Sequence, residues 1–157
     1  MRVRFLGVDF GQRRIGLALS DASGLLARPW MTLAAAGTPD GSARLVTEWL
    51  AGRRREGDEA VAELGGIVVG LPRRLGGTDT GQTGAARAFA DGLSRESGMP
   101  VHLQDERLSS YEAEQLLAER ERDWRKRKLK LDAAAAAVIL QDYLDARARR
   151  VGSAESE

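Results

Sequence analysis

The chain has no cysteine, and His102 is its one histidine in 157 residues. Disulfides, zinc–thiolate centres and thiol nucleophiles are therefore excluded together. No N-terminal stretch has the apolar core of a signal peptide, and no apolar run approaches the ~20 residues needed to span a bilayer. The expectation is a soluble, cytoplasmic protein with no membrane partner. Net charge is only +1, so overall basicity cannot carry a nucleic-acid reading. Lysine is scarce as well: Lys126, Lys128 and Lys130 are the only three, against 21 arginines. Between Arg120 and Lys130 there are seven bases and two acids around Trp124. That pattern suits a nucleic-acid backbone with an occasional stacked base, and equally a solvated, poorly ordered loop in an arginine-rich protein.

The most informative feature present is an apolar run that ends in an acid and a glycine turn, Val3-Arg4-Phe5-Leu6-Gly7-Val8-Asp9-Phe10-Gly11. A second run, Ile15-Gly16-Leu17-Ala18-Leu19-Ser20, follows at once. The two read as a β-hairpin with a carboxylate where its first strand ends and Gln12-Arg13-Arg14 at the turn. A carboxylate on a rigid strand beside two guanidinium groups suits a hard cation held against a phosphate.

Further along, Leu25–Leu33 reads as a third strand, joined by so short a turn that it must be antiparallel. Leu45, Val46, Trp49 and Leu50 repeat at helical spacing, and the charged segment Gly52–Glu59 interrupts or extends that helix. Gly66–Pro72 is a continuous β-branched run, as a strand buried on both faces should be. A glycine-rich loop, Arg73–Gly81, leads to a helix that turns Ala86, Phe89, Ala90 and Leu93 inward. Pro100–Glu106 is the fifth strand, and Ser109 or Ser110 suits the N-cap of a helix with Glu112 and Glu114 in its first turn. An alanine-rich helix spans Leu131–Arg150. The order β-β-β-α-β-α-β-α-α predicts an α/β fold with a five-stranded mixed sheet, an antiparallel meander joined to a parallel βαβ half. Residues 1–150 are expected to form one domain and 151–157 a disordered tail.

Three acids stand where acids are unusual. Asp9 ends a strand expected at the centre of the sheet, where an unpaired acid incurs a heavy desolvation cost, which argues against an ordinary turn residue. Asp105-Glu106 end the fifth strand; alternation groups Glu106 with His102 and Gln104, and Asp105 with Val101 and Leu103, and does not choose between the two acids. Asp132 has the look of a helix N-cap, yet helical geometry puts it on one face with Ala136, Ile139 and Tyr143, away from Asp142 and Asp145. Ligands of open α/β sheets gather outside the carboxyl ends of the strands. Carboxylates gathered there without cysteine suit Mg²⁺ or Mn²⁺. His102, a lone strand histidine, reads as a packed structural residue and is left out of the site.

Four segments together resemble the bacterial YqgF/RuvX family, known by the names Holliday junction resolvase and pre-16S rRNA nuclease. They are Gly7–Gly16, Ile67–Pro72, Asp105-Glu106-Arg107-Leu108-Ser109-Ser110, and Leu131–Ala134 leading to Val138-Ile139-Leu140-Gln141. The resemblance implies an RNase H-like fold and a metal-dependent nuclease whose hydrolysis leaves a 5′-phosphate. It assigns Asp9, Glu106 and Asp132 as catalytic and metal-binding acids, and Arg14 and Arg107 as phosphate contacts. Arg73, Arg74, Arg125, Lys126 and Lys128 join them as expected substrate-binding residues. The implied partner is nucleic acid, with structured or single-stranded RNA favoured and branched DNA as the alternative, acted on by a monomer or weak homodimer. Two features depart from the family pattern: the segment Gly52–Glu63 is longer than usual, and Arg73-Arg74 is more basic than expected after Gly-Leu-Pro. Two other classes compete, a sugar-kinase or actin-like ATPase, for which 157 residues leave no room for a second lobe, and a non-catalytic RNA-binding factor.

Overall fold

The computed structural model describes residues 3–72, 82–106 and 124–155, apart from the side chains of 124–129 and 153–155. Five strands form one sheet in the order β3-β2-β1-β4-β5. Strands β1 (Arg4–Phe10), β2 (Arg14–Ser20) and β3 (Ala27–Ala34) pair antiparallel. Strands β4 (Leu64–Leu71) and β5 (Val101–Asp105) run parallel to β1, β4 beside it and β5 at the edge. This mixed order, with the chain's first strand at the centre, is the RNase H-like arrangement.

Alternation along β1 sends its side chains to two different cores. Leu6 and Val8 join Ile15, Leu17, Ile67 and Val69 beneath α1 (Pro39–Arg55) and α3 (Thr83–Ser97), which supply Val46, Leu50, Phe89 and Leu93. Phe5 faces the other way, joining Ala18 and Val68 under Ala136, Ile139, Leu140 and Leu144 of the last described helix, α4 (Trp124–Glu155). Asp9 has the parity of Phe5 and so belongs to the α4 face. Thr38 caps α1 through its side chain, accepting from the Gly41 N–H, with Pro39 in the first turn. The charged segment after Trp49 continues α1 to Arg55, then turns at Gly57 into the four-residue helix α2 (Glu59–Ala62), capped by Asp58. Among the described residues no helix is long and apolar enough to cross a membrane.

α4 begins at Trp124 rather than Leu131 and runs through Gly152 to Glu155, residues expected to fray. The second half of the basic segment is therefore helical, as the good propensity of Arg and Lys allows. Asp132 then lies about two turns inside the helix, so N-capping no longer accounts for it. The expected helix after Ser109 or Ser110, and the glycine-rich loop Arg73–Gly81, lie outside the described residues.

α4 sits close against the strands because three of its contacts are glycines. A Cβ on Gly7 would meet Leu140 Cβ at 2.7 Å and the Ala136 carbonyl at 2.8 Å. One on Gly16 would overlap the Asp132 backbone, and one on Gly70 would meet Ile139 at 2.6 Å as well as the Glu106 carboxyl. Gly84, in the first turns of α3, has open space around it. We expect Gly16→Ala to lose about 1–3 kcal/mol by forcing α4 away, and Gly84→Ala to gain up to about 1 kcal/mol from helix propensity. Urea unfolding of both variants against the parent chain measures the two effects.

Candidate active site

Asp9 sits at the end of β1, paired across to Gly16 and one residue beyond the Val8–Val69 pair. Side chains on two neighbouring strands are thus reduced to hydrogen around its carboxyl. Behind it, Phe10 stacks on Phe89 with ring centroids 4.5 Å apart and anchors the strand end in the opposite core. Glu106 follows the last residue of β5, and its N–H donates to the Leu71 carbonyl at 3.2 Å. That bond extends the β4–β5 pairing by one step and fixes where the side chain leaves the sheet. The Glu106 carboxyl lies over Gly70, against Ile139 of α4.

The carboxyls of Asp9 and Glu106 are hydrogen-bonded to each other, and Asp132 is near enough for its charge to act on Asp9. Of the three acids singled out in the sequence, the structure joins Asp9 and Glu106 directly, while Asp132 acts on Asp9 through its charge alone. Of the two adjacent acids, it is Glu106 whose carboxyl meets Asp9. His102 stacks on Tyr143 of α4 at 5.1 Å, the structural role expected of it, which also shows that the His102 face of β5 is the α4 face.

Burial is the main cause of the unusual protonation of this pair, even though both residues keep some exposure at the mouth of the site. Asp9 is pushed up from its ordinary 3.8 to about 6, by burial and by the Asp132 charge, against a hydrogen bond from Glu106 that favours its ionised form. Glu106 is pushed up from 4.5 to about 8 by burial, by the Asp9 charge and by the hydrogen bond it gives to Asp9. The two carboxyls titrate as a unit that holds one proton near neutrality, with Glu106 the donor.

Asp132 is held differently. Arg14 Nε donates to its Oδ2 at 2.6 Å, with the two side chains 32% and 22% exposed. Arg14 starts β2, and its carbonyl accepts from the Gly11 N–H at 3.0 Å, so the hairpin turn sets the origin of the guanidinium. Among the described residues no three acids converge tightly enough to form a ready cation cluster. The donor set nevertheless fits a hard cation: it is all carboxylate oxygen, and the proton shared by Asp9 and Glu106 stands where positive charge is needed.

Arg107, Arg73 and Arg74 lie outside the described residues, as do the side chains of Arg125, Lys126 and Lys128. The backbone places the last three on the turns of α4 that precede Asp132. What the sequence reading missed was the role of Gly7, Gly16 and Gly70. An isolated glycine inside a strand pattern is the available signal for close backbone approach, and all three carried it.

A central first strand, parallel β4 and β5, and acids at strand ends facing a last helix together define the RNase H-like class of α/β proteins. Within that class the chain belongs to the RuvX family: the family model described as "RuvX: Holliday junction resolvase" matches residues 3–146. A relative from Pelotomaculum thermopropionicum, described as "Putative pre-16S rRNA nuclease", is 38% identical over 94% of this chain and 90% of its own length. A second with the same description, from Anaeromyxobacter sp. (strain Fw109-5), is 43% identical over 92% of this chain and 98% of its own. Among solved structures, T. thermophilus RuvC in complex with a Holliday junction substrate is similar with TM-score 0.47 and 18% identity. That likeness covers 92% of this chain and 95% of the other.

The raised carboxyls have a consequence for stability without divalent cations. Asp9 and Glu106 bind protons more tightly in the folded chain than in the unfolded one, so stability falls as pH rises from about 4 through about 6 and 8. Glu106→Gln removes the ionisation and keeps the shape. At pH 8.5 in EDTA it should be more stable than the parent by on the order of 2 kcal/mol, several degrees in Tm, with the difference vanishing near pH 4. Thermal unfolding across that pH range reads the result.

Proposed function

We propose that this protein is a divalent-cation-dependent nuclease that hydrolyses phosphodiester bonds in RNA, acting at the 5′ end of pre-16S rRNA in the cytoplasm. The observation that carries the reading is the half-buried, hydrogen-bonded Asp9–Glu106 pair with Asp132 near enough to act on it, a concentration of acids that folding alone would not favour. Membership of a family of nucleases and the descriptions of the relatives support both the reaction class and the RNA substrate.

Asp9, Glu106 and Asp132 would hold the cation, Mg²⁺ or Mn²⁺. When bound, it supplies Lewis-acid charge at the phosphate and lowers the pKa of attacking water. The Asp9–Glu106 pair would have to be free of its shared proton to act as ligand, so cation binding would strengthen as pH rises toward 8. The β1 and β5 ends fix two of the acids on rigid backbone, and α4 fixes the third, so little reorganisation is left for the reaction. Arg14 and Arg107 take phosphate oxygens nearest the acids. Arg73, Arg74, Arg125, Lys126 and Lys128 hold the flanking backbone, and affinity falls steeply with salt. No histidine or cysteine nucleophile takes part. The protein works as a monomer or weak homodimer.

The test is cleavage of a 5′-extended pre-16S rRNA fragment and of a synthetic four-way DNA junction, side by side, by the parent chain and Asp9→Asn. We expect Mg²⁺- or Mn²⁺-dependent cutting of the RNA, reduced at least 100-fold in Asp9→Asn. Paired symmetric nicks in the junction with the RNA intact would make it a resolvase instead. Tight RNA binding with no cutting, indifferent to Asp9→Asn and to chelation, would make it a binding factor.

A further inference from the structure

Arg14 and Asp132 come from opposite ends of the chain, 118 residues apart, and meet through a single charged hydrogen bond of 2.6 Å at the rim of the site. Their backbones are pinned independently. Gly11 and Ala34 hold the Arg14 backbone within the hairpin and sheet, and Gly16 seats the Asp132 backbone against β2. The guanidinium stands at the end of a long side chain that is 32% exposed, so rotation of that side chain alone would part it from Asp132.

We propose that Arg14 and a bound divalent cation compete for Asp132, and that a substrate phosphate takes Arg14 in exchange. The proposal rests on the reading of Asp9, Glu106 and Asp132 as the cation site. In the free protein, Arg14 satisfies Asp132 and keeps a third negative charge from bearing fully on the Asp9–Glu106 pair. A cation between the acids draws on the Asp132 carboxylate and repels the guanidinium beside it. The displaced guanidinium has a planar fork of donors that matches two phosphate oxygens, and the nucleic acid supplies them next to the acids. Cation and nucleic acid thus reinforce each other, by the same factor in both directions. A free protein with its third acid capped holds divalent cations weakly, and tight binding waits for substrate.

The experiment is Mn²⁺ binding to the full chain at pH 8, without nucleic acid, followed by the EPR signal of free Mn²⁺. Four proteins are compared: the parent, Arg14→Gln, Arg13→Gln and Asp9→Asn. Arg13 is the exposed neighbour in the same turn and controls for a general loss of positive charge. We expect Arg14→Gln to bind Mn²⁺ about fivefold or more tightly than either the parent or Arg13→Gln, within the range of site-to-site coupling. Adding Asp132→Asn to Arg14→Gln should erase the gain. Equal affinities in Arg14→Gln and Arg13→Gln overturn the competition, and weaker binding in Arg14→Gln makes Arg14 a support of the site rather than its rival. Asp9→Asn binding as well as the parent would instead remove the acid site itself, a separate failure. If Arg14→Gln does not fold, the Nε–H resonance of Arg14 in the ¹⁵N-labelled parent reports the exchange. It should shift in step with Mg²⁺ saturation, and an unmoved resonance overturns the proposal.

Discussion

The close seating of α4 on the sheet is the contact from which the rest of the site follows. Gly7 on β1, Gly16 on β2 and Gly70 on β4 leave no side chain between strand backbone and helix. Leu140, Ala136, Ile139 and the Asp132 backbone settle into that space. Had these positions carried ordinary strand residues, α4 would ride higher, as helices packed on side chains do, and Asp132 would stand clear of Asp9. Because they are glycines, a helix residue reaches the end of the central strand and adds its charge to the carboxyl there. The core on the other face, packed around Phe89, Leu93, Val46 and Leu50, lets this face sacrifice side-chain volume to proximity.

Proximity of like charges is costly, and the structure relieves the cost in two ways. Asp9 and Glu106 share a proton, and Asp132 takes the guanidinium of Arg14. Both are reversible, one by loss of a proton and the other by rotation of a side chain. A core built for stability alone would have apolar groups at the ends of β1 and β5. On the proposed function, the surviving charge is where a cation would bind, with protonation and an arginine holding the acids in its place.

Much of this was legible in the sequence. The strands were readable from their apolar runs, and Asp9 was exposed by its position after one of them. The face shared by Asp132, Ala136, Ile139 and Tyr143 follows from the helical period, and the buried Ala136 and Ile139 bear it out. Other parts were not legible, for physical reasons. The first turns of α4 lack apolar periodicity, since Arg125 to Lys128 are all basic, so the pattern alone starts the helix at Leu131 and gives Asp132 the look of a cap. The choice of Glu106 over Asp105 depends on which face of an edge strand α4 covers, a tertiary fact that no alternation contains. The Arg14–Asp132 bond joins residues at opposite ends of the chain and leaves no local trace.

Asp9, Glu106 and Asp132 are proposed to form one cation site at the end of β1. Anomalous diffraction from crystals soaked in Mn²⁺ at pH 8 tests it most directly. The expected result is a peak at roughly 2.0–2.2 Å from oxygens of all three carboxylates, as oxygen ligands of such small divalent ions require. A map with no peak there, or with Mn²⁺ bound elsewhere while Glu106 still bridges to Asp9, would contradict it.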